Sequence, residues 1–168
     1  AITKIAHGGS KLMITVDCGT NSVKETELAK SLGMDVIITD HHEVTGPLPA
    51  AFALINPKNR EDLYPFPYLT GVGVAFKLVQ ALFSAPTLKS EQPAAVGWEK
   101  WLLDLVAIGT VADIQSLTSE NRILVSFGLK VLAKTRWLGL KKLMLASGLT
   151  SDRVDTYALG FILAPRIN

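Results

Sequence analysis

The chain has 168 residues, 48% of them apolar and 19% charged, with a formal net charge of only +2. That length and composition suit one globular domain with a sizeable core and exclude disorder, while so small a net charge means that any nucleic acid is held by a local patch and not by bulk charge. The apolar stretches are broken by Asp104, Asp113 and glycines, so no segment is predicted to span a membrane, and the lone Cys18 excludes an internal disulfide framework and fits a reducing cytoplasm.

In chain order, AITKIAHGG reads as a final helical turn stopped by Gly8-Gly9, with His7 as its polar end. This start and the abrupt end at LAPRIN suggest a piece of a longer protein. KLMITVD (11–17) reads as a buried strand. The stretch 22–33 follows as a helix, with a Ser22/Glu25 capping box, an apolar face of Val23, Leu28 and Leu32, and Gly33 as its stop. DVIITD (35–40) is a second strand, parallel to and beside the first, and AFALIN (51–56) is a third whose partner the spacing leaves open.

A proline-rich loop (57–70) leads to a helix over 71–83 with Thr70 as N-cap, and 84–97 is linker-like and expected to be exposed. Helices are predicted over 98–109, about 119–134, 137–147 and 154–163. The expected fold class is α/β, a parallel β-sheet flanked by helices (about 1–85), followed by a helical C-terminal half (about 98–168).

Chemistry is expected at the carboxyl ends of the strands, where open parallel sheets bind ligands. The first strand ends at Asp17 and the second at Asp40-His41-His42. Parallel neighbours would bring Asp17 and His41 together, and carboxylate with imidazole suits Mn²⁺, Mg²⁺ or Zn²⁺. Taken singly, Asp17 could equally be a turn residue and the histidines a surface pair. Asp113, after the apolar run LVAIGTVA, could emerge at the rim of the core or simply end a helix. Asp104, four residues after Lys100, reads as half of an exposed helix pair.

Gly71 and Gly73, at a helix start, could admit a phosphate to backbone N–H groups or serve tight packing. Arg166, beside Asn168, could form a phosphate fork or be a surface arginine. Lys130, Lys134, Arg136, Lys141 and Lys142 read as a solvated helix face, with DNA contact as the alternative, and Cys18 as a small packing residue.

The segments VDCG (16–19), DHH (40–42), GVGVAFK (71–77), GTVAD (109–113) and PRIN (165–168) occur in an order that resembles the RecJ family of the DHH phosphoesterase superfamily. The resemblance covers essentially the whole chain. It implies a two-metal exonuclease, usually using Mn²⁺ with Mg²⁺ as an alternative, acting on single-stranded DNA from the 5′ end in repair and recombination. By the same resemblance, Asp17 would bridge the two metals, His41 and Asp113 would ligate one of them, His42 would face the scissile phosphate, and Asp40 would support the histidines. Gly71, Gly73 and Arg166 would contact substrate phosphate.

The family's Asp-x-Asp pair is absent from the chain. The two-metal site is therefore expected to be incomplete and the piece itself inactive. Single-strand-binding or recombination proteins are expected partners, and a membrane is not. Two other readings stand beside this one: another DHH phosphoesterase acting on short oligonucleotides, small phosphate esters or pyrophosphate, and a non-catalytic replication scaffold.

Overall fold

The computed structural model describes residues 1–61, 63–85 and 97–167. The chain divides into two compact units, Ala1–Ala75 and Phe76–Asn168. The fold class is the expected one, a parallel sheet with helices and a helical C-terminal half.

In the first unit, β1 (Leu12–Val16), β2 (Asp35–Thr39) and β3 (Ala53–Ile55) form one parallel sheet in the order β1-β2-β3. Leu12 pairs with Asp35 and Val16 with Thr39, while Ile37 pairs with Ala53 and Thr39 with Ile55. The third strand, whose partner the sequence leaves open, thus lies beside β2. Helix α1 (Ile2–His7) ends at Gly8, and α2 (Val23–Ser31) connects β1 to β2. A crossover of this kind is what parallel neighbours require. Val36 and Ile38 on the central strand join Ala29 and Met34 in the core, with Met13, Leu54 and Ile2 packed against them.

Three local expectations need correction. β1 is not a buried strand: it is an edge of this sheet, and Leu12, Ile14 and Val16 are each about half exposed. Successive residues point to opposite faces of the sheet: Met13 packs against the core, and Leu12, Ile14 and Val16 face away from it. Helix α2 buries Thr26 and Ala29, whereas Leu28 is exposed, because the small residues allow the helix to approach the sheet. Ser22 does stand at the N-cap position, but its side chain makes no capping hydrogen bond.

Helix α3 (Gly71–Ser84) starts as expected, with Thr70 Oγ1 accepting the Gly73 N–H at 3.2 Å. Of the expected linker, 86–96 lies outside the described residues. In the second unit a 3₁₀ turn (Trp98–Leu102) leads into α4 (Leu103–Ala112), followed by α5 (Ser119–Leu132) and α6 (Leu138–Ala146). The last predicted helix takes wider π turns over Ala158–Leu163 before α7 (Ala164–Ile167). Ala107, Ile108, Val125, Leu132, Met144, Leu159 and Leu163 form the core of this unit. Lys77 on α3 pairs with Glu120 on α5 at 3.1 Å.

Asp104 is the largest correction. It is not an exposed helix pair with Lys100: it is fully buried, its Oδ2 accepts the Thr135 hydroxyl at 2.6 Å, and its Oδ1 accepts the Leu105 N–H at 2.8 Å. The basic run is exposed as expected. Within it, Lys130 lies over the Phe127 ring, while Lys134 and Arg136 lie over Trp101, Arg136 at 3.5 Å from the ring centroid.

Candidate metal centre at the strand ends

The pairing of Val16 with Thr39 puts the residues that follow both strands side by side, and the Asp17 N–H donates to the Thr39 carbonyl at 2.9 Å. Asp17 then leaves the strand in the left-handed region, with φ 63°. Aspartate tolerates that conformation better than most residues because its short side chain can bond locally. Gly19 completes the turn at φ 116°, where a Cβ would lie 2.9 Å from Thr15 Oγ1 and 3.1 Å from Ile38 Cγ2. Only glycine fits both that angle and that space. Cys18, expected to pack, is instead exposed; its carbonyl accepts the Thr15 hydroxyl at 2.7 Å.

The turn directs the Asp17 carboxylate at His41, whose Nε2 lies 3.0 Å from Asp17 Oδ1. The His41 side chain is almost fully buried, whereas that of Asp17 is 60% exposed. The His42 ring tilts against that of His41, with centroids 4.7 Å apart. Ligand-capable atoms of Asp17, His41 and His42 all lie within 4.8 Å of one another. This is one carboxylate and two imidazoles at an exposed edge, a donor set that suits a borderline divalent cation. The residues present therefore fit such an ion.

Asp40 sits beneath this cluster, buried, and accepts several hydrogen bonds. They include those from the Thr20 N–H (2.8 Å), the His41 N–H (2.8 Å), the His42 N–H (3.3 Å) and His42 Nδ1 (2.7 Å). Burial by itself raises a carboxyl pKa, but the hydrogen bonds from Thr20, His42 and His41 outweigh it. They hold Asp40 well below the usual carboxylate range. An ionised Asp40 keeps the proton of His42 on Nδ1, which leaves Nε2 as the lone-pair donor. A carboxylate behind an imidazole in this way fixes ring and tautomer for a ligand.

Two members of this network were not singled out from sequence. Asn56 is fully buried at the end of β3, and its Nδ2 donates to Thr20 Oγ1 and to the His42 carbonyl, both at 2.8 Å. Thr20, also fully buried, links Asn56 to Asp40. The signal was present: the strand-end rule that selects Asp17 and Asp40 also selects Asn56.

Gly71 and Gly73 are both buried. A side chain on Gly71 would meet the Asp17 carboxylate, so the first turn of α3 lies directly against that residue. The Gly73 N–H is already engaged by Thr70. In the second unit, Asp113 is the exposed C-cap residue that follows α4, and Ile114 after it is exposed with φ 56°, an unusual angle for a β-branched residue. Arg166 donates to the Ile162 carbonyl of its own helical segment at 2.6 Å, and Asn168, its expected companion, lies outside the described residues.

The family described as "DHH family, N-terminal domain" matches residues 2–110. The chain belongs to the DHH family. It is similar to the single-stranded-DNA-specific exonuclease RecJ of Bacillus subtilis (strain 168), with 46% identity over 168 residues that make up all of this chain and 20% of that protein. A crystal structure of exonuclease RecJ bound to manganese superposes with a TM-score of 0.81 at 34% identity, over 99% of this chain and 40% of that one. RecJ from Thermus thermophilus in complex with Mn²⁺ gives the same TM-score at 33% identity, over 99% of this chain and 23% of that one. The chain thus spans about a fifth to two fifths of the length of these DHH relatives. Among the described residues of this DHH chain, no helix is long and apolar enough to cross a membrane.

Proposed function

We propose that this chain supplies a metal-holding face of the catalytic domain of a RecJ-type exonuclease. The enzyme would hydrolyse phosphodiester bonds of single-stranded DNA from the 5′ end, in the cytoplasm, in repair and recombination. The observation that carries this reading is the convergence of Asp17, His41 and His42 donors to within 4.8 Å of one another. The manganese-bound RecJ structures support Mn²⁺ as the ion, and a RecJ structure in complex with Mg²⁺ supports that ion as the alternative.

Asp17 and His41 would hold the cation, and Asp113, in the GTVAD segment, is proposed as a further ligand. A bound divalent cation lowers the pKa of coordinated water and offsets charge on phosphoryl oxygens. His42, held by Asp40, would face the scissile phosphate. Thr20 and Asn56 would keep Asp40 and the His42 main chain in register. The start of α3 at Gly71 and Gly73, together with Arg166, is proposed to contact substrate phosphate. Single-strand-binding or recombination proteins are the proposed partners.

The test uses a protein of RecJ length that carries this chain. On a 5′-labelled single strand with Mn²⁺ it should release mononucleotides. Asp17→Ala and His41→Ala should each lower the rate by roughly a thousandfold, about 4 kcal/mol of transition-state stabilisation. Rates within threefold of the unsubstituted protein would overturn the reading. A preference for dinucleotides over long strands would move the substrate class to short oligonucleotides.

A further inference from the structure

We infer that Gly71 is a positioning residue for Asp17, required so that the carboxylate can stand beside His41. The inference rests on the metal-holding reading of Asp17. Gly71 is the first residue of α3 and is buried. A methyl group there would fall on the Asp17 carboxylate and lie 2.6 Å from Asp17 Cβ, whereas packed carbons sit about 3.5–4.0 Å apart. Turning the Asp17 side chain would free the carboxylate, but rotation about Cα–Cβ does not move Cβ. Relief therefore requires a backbone shift.

The Asp17 backbone has little freedom to give. Its N–H is bonded to Thr39 at 2.9 Å, its φ is 63°, and the turn closes two residues later on Gly19, which is itself tightly enclosed. Any shift would therefore carry the carboxylate away from its 3.0 Å approach to His41 Nε2. Displacements on the order of 1 Å matter greatly for a group that must hold a reacting geometry. The first turn of α3 also brings its partial positive charge to this carboxylate, an arrangement that a bulkier residue would loosen.

The experiment is a double-substitution cycle on the full chain. Its readouts are Mn²⁺-induced broadening of the His41 and His42 ring resonances and thermal melting without metal. Gly71→Ala should raise the Mn²⁺ concentration for half-maximal broadening at least about tenfold and lower the Tm by about 4 °C. The control is Gly139→Ala, at the second position of α6, where nothing lies within 4 Å; it should leave the Mn²⁺ midpoint unchanged and should not lower the Tm. In an Asp17→Gly background, which suits φ 63° and removes the obstructing side chain, Gly71→Ala should cost no further Tm. An unchanged Mn²⁺ midpoint in Gly71→Ala, or equal Tm losses in both backgrounds, overturns the inference. If the unsubstituted chain shows no Mn²⁺ broadening at all, the metal readout passes to a protein of RecJ length that carries it, and the melting cycle decides the Gly71–Asp17 contact.

Discussion

Asp40 in the α/β unit and Asp104 in the helical unit are both aspartates removed from solvent, and each takes a hydrogen bond from a threonine and from the main-chain N–H of the residue that follows it. They differ in where the network ends. The Asp40 network runs outward to the half-exposed His42 ring, whereas that of Asp104 ends at the Thr135 hydroxyl inside a helix junction. A buried carboxylate is thus not by itself a sign of chemistry. What marks a supporting residue is an acceptor set aimed at a group that can meet a ligand. Asp104 ties the start of α4 to the residues after α5, a structural task.

The largest effect should separate Asp113 from Asp104. In a protein of RecJ length, Asp113→Ala should cut exonuclease turnover by roughly a thousandfold while leaving stability within about 0.5 kcal/mol, as for an exposed residue. Asp104→Ala should do the reverse: about 2–3 kcal/mol of stability lost through the stranded Thr135 hydroxyl and Leu105 N–H, with turnover per folded molecule nearly unchanged. Denaturant melts run beside single-strand assays decide between these outcomes, and equal turnover losses in the two variants would erase the distinction.

A smaller effect is expected at Asp40. Asp40→Asn keeps the shape but weakens acceptance from Thr20, His41 and His42. It should reduce metal affinity or turnover by about 10–100-fold, the usual scale for a group behind a ligand imidazole. An Asp104→Asn variant tested in parallel should leave Mn²⁺ affinity unchanged. If both variants lose affinity alike, the networks do not differ in the way their end points suggest.

The smallest effect concerns acid. Asp40 has a folded-state pKa held below the ordinary aspartate value of about 3.9. A depressed carboxyl pKa stabilises the fold above the unfolded-state value, and that contribution is lost as pH falls through the folded-state value. The stability advantage of the native chain over Asp40→Asn that comes from this carboxylate should therefore shrink as pH falls from about 5 to below about 4. Urea midpoints for the two proteins across that range provide the check. A gap that widened in acid would contradict the hydrogen-bonding account of Asp40.

The β1–α2–β2 unit was legible because alternating chain types and β-branched runs leave few arrangements: a helix between two short strands dictates parallel neighbours, so strand ends Asp17 and Asp40-His41-His42 had to meet. The start of α3 was legible for the same kind of local reason, since Thr70 caps it. The third strand was found but not placed, because nothing in a helix-free connection specifies which edge it joins. The half-exposure of β1 was missed because an apolar run reads the same on an edge strand as on a central one.

By itself, the sequence determined the fold class, the parallel pairing of the first two strands and the candidate residues at their ends, since these follow from short-range patterning and from the chirality of one crossover. Tertiary structure alone decided which carboxylates are buried and what each one serves. Asp104 and Asp113 look alike along the chain, yet one is enclosed by Thr135 from beyond the next helix and the other ends α4 in solvent. Tertiary structure also brought Asn56 to Thr20 and Gly71 to Asp17. Burial and contact between residues far apart in the chain depend on how helices and strands pack, and no local pattern encodes that distance.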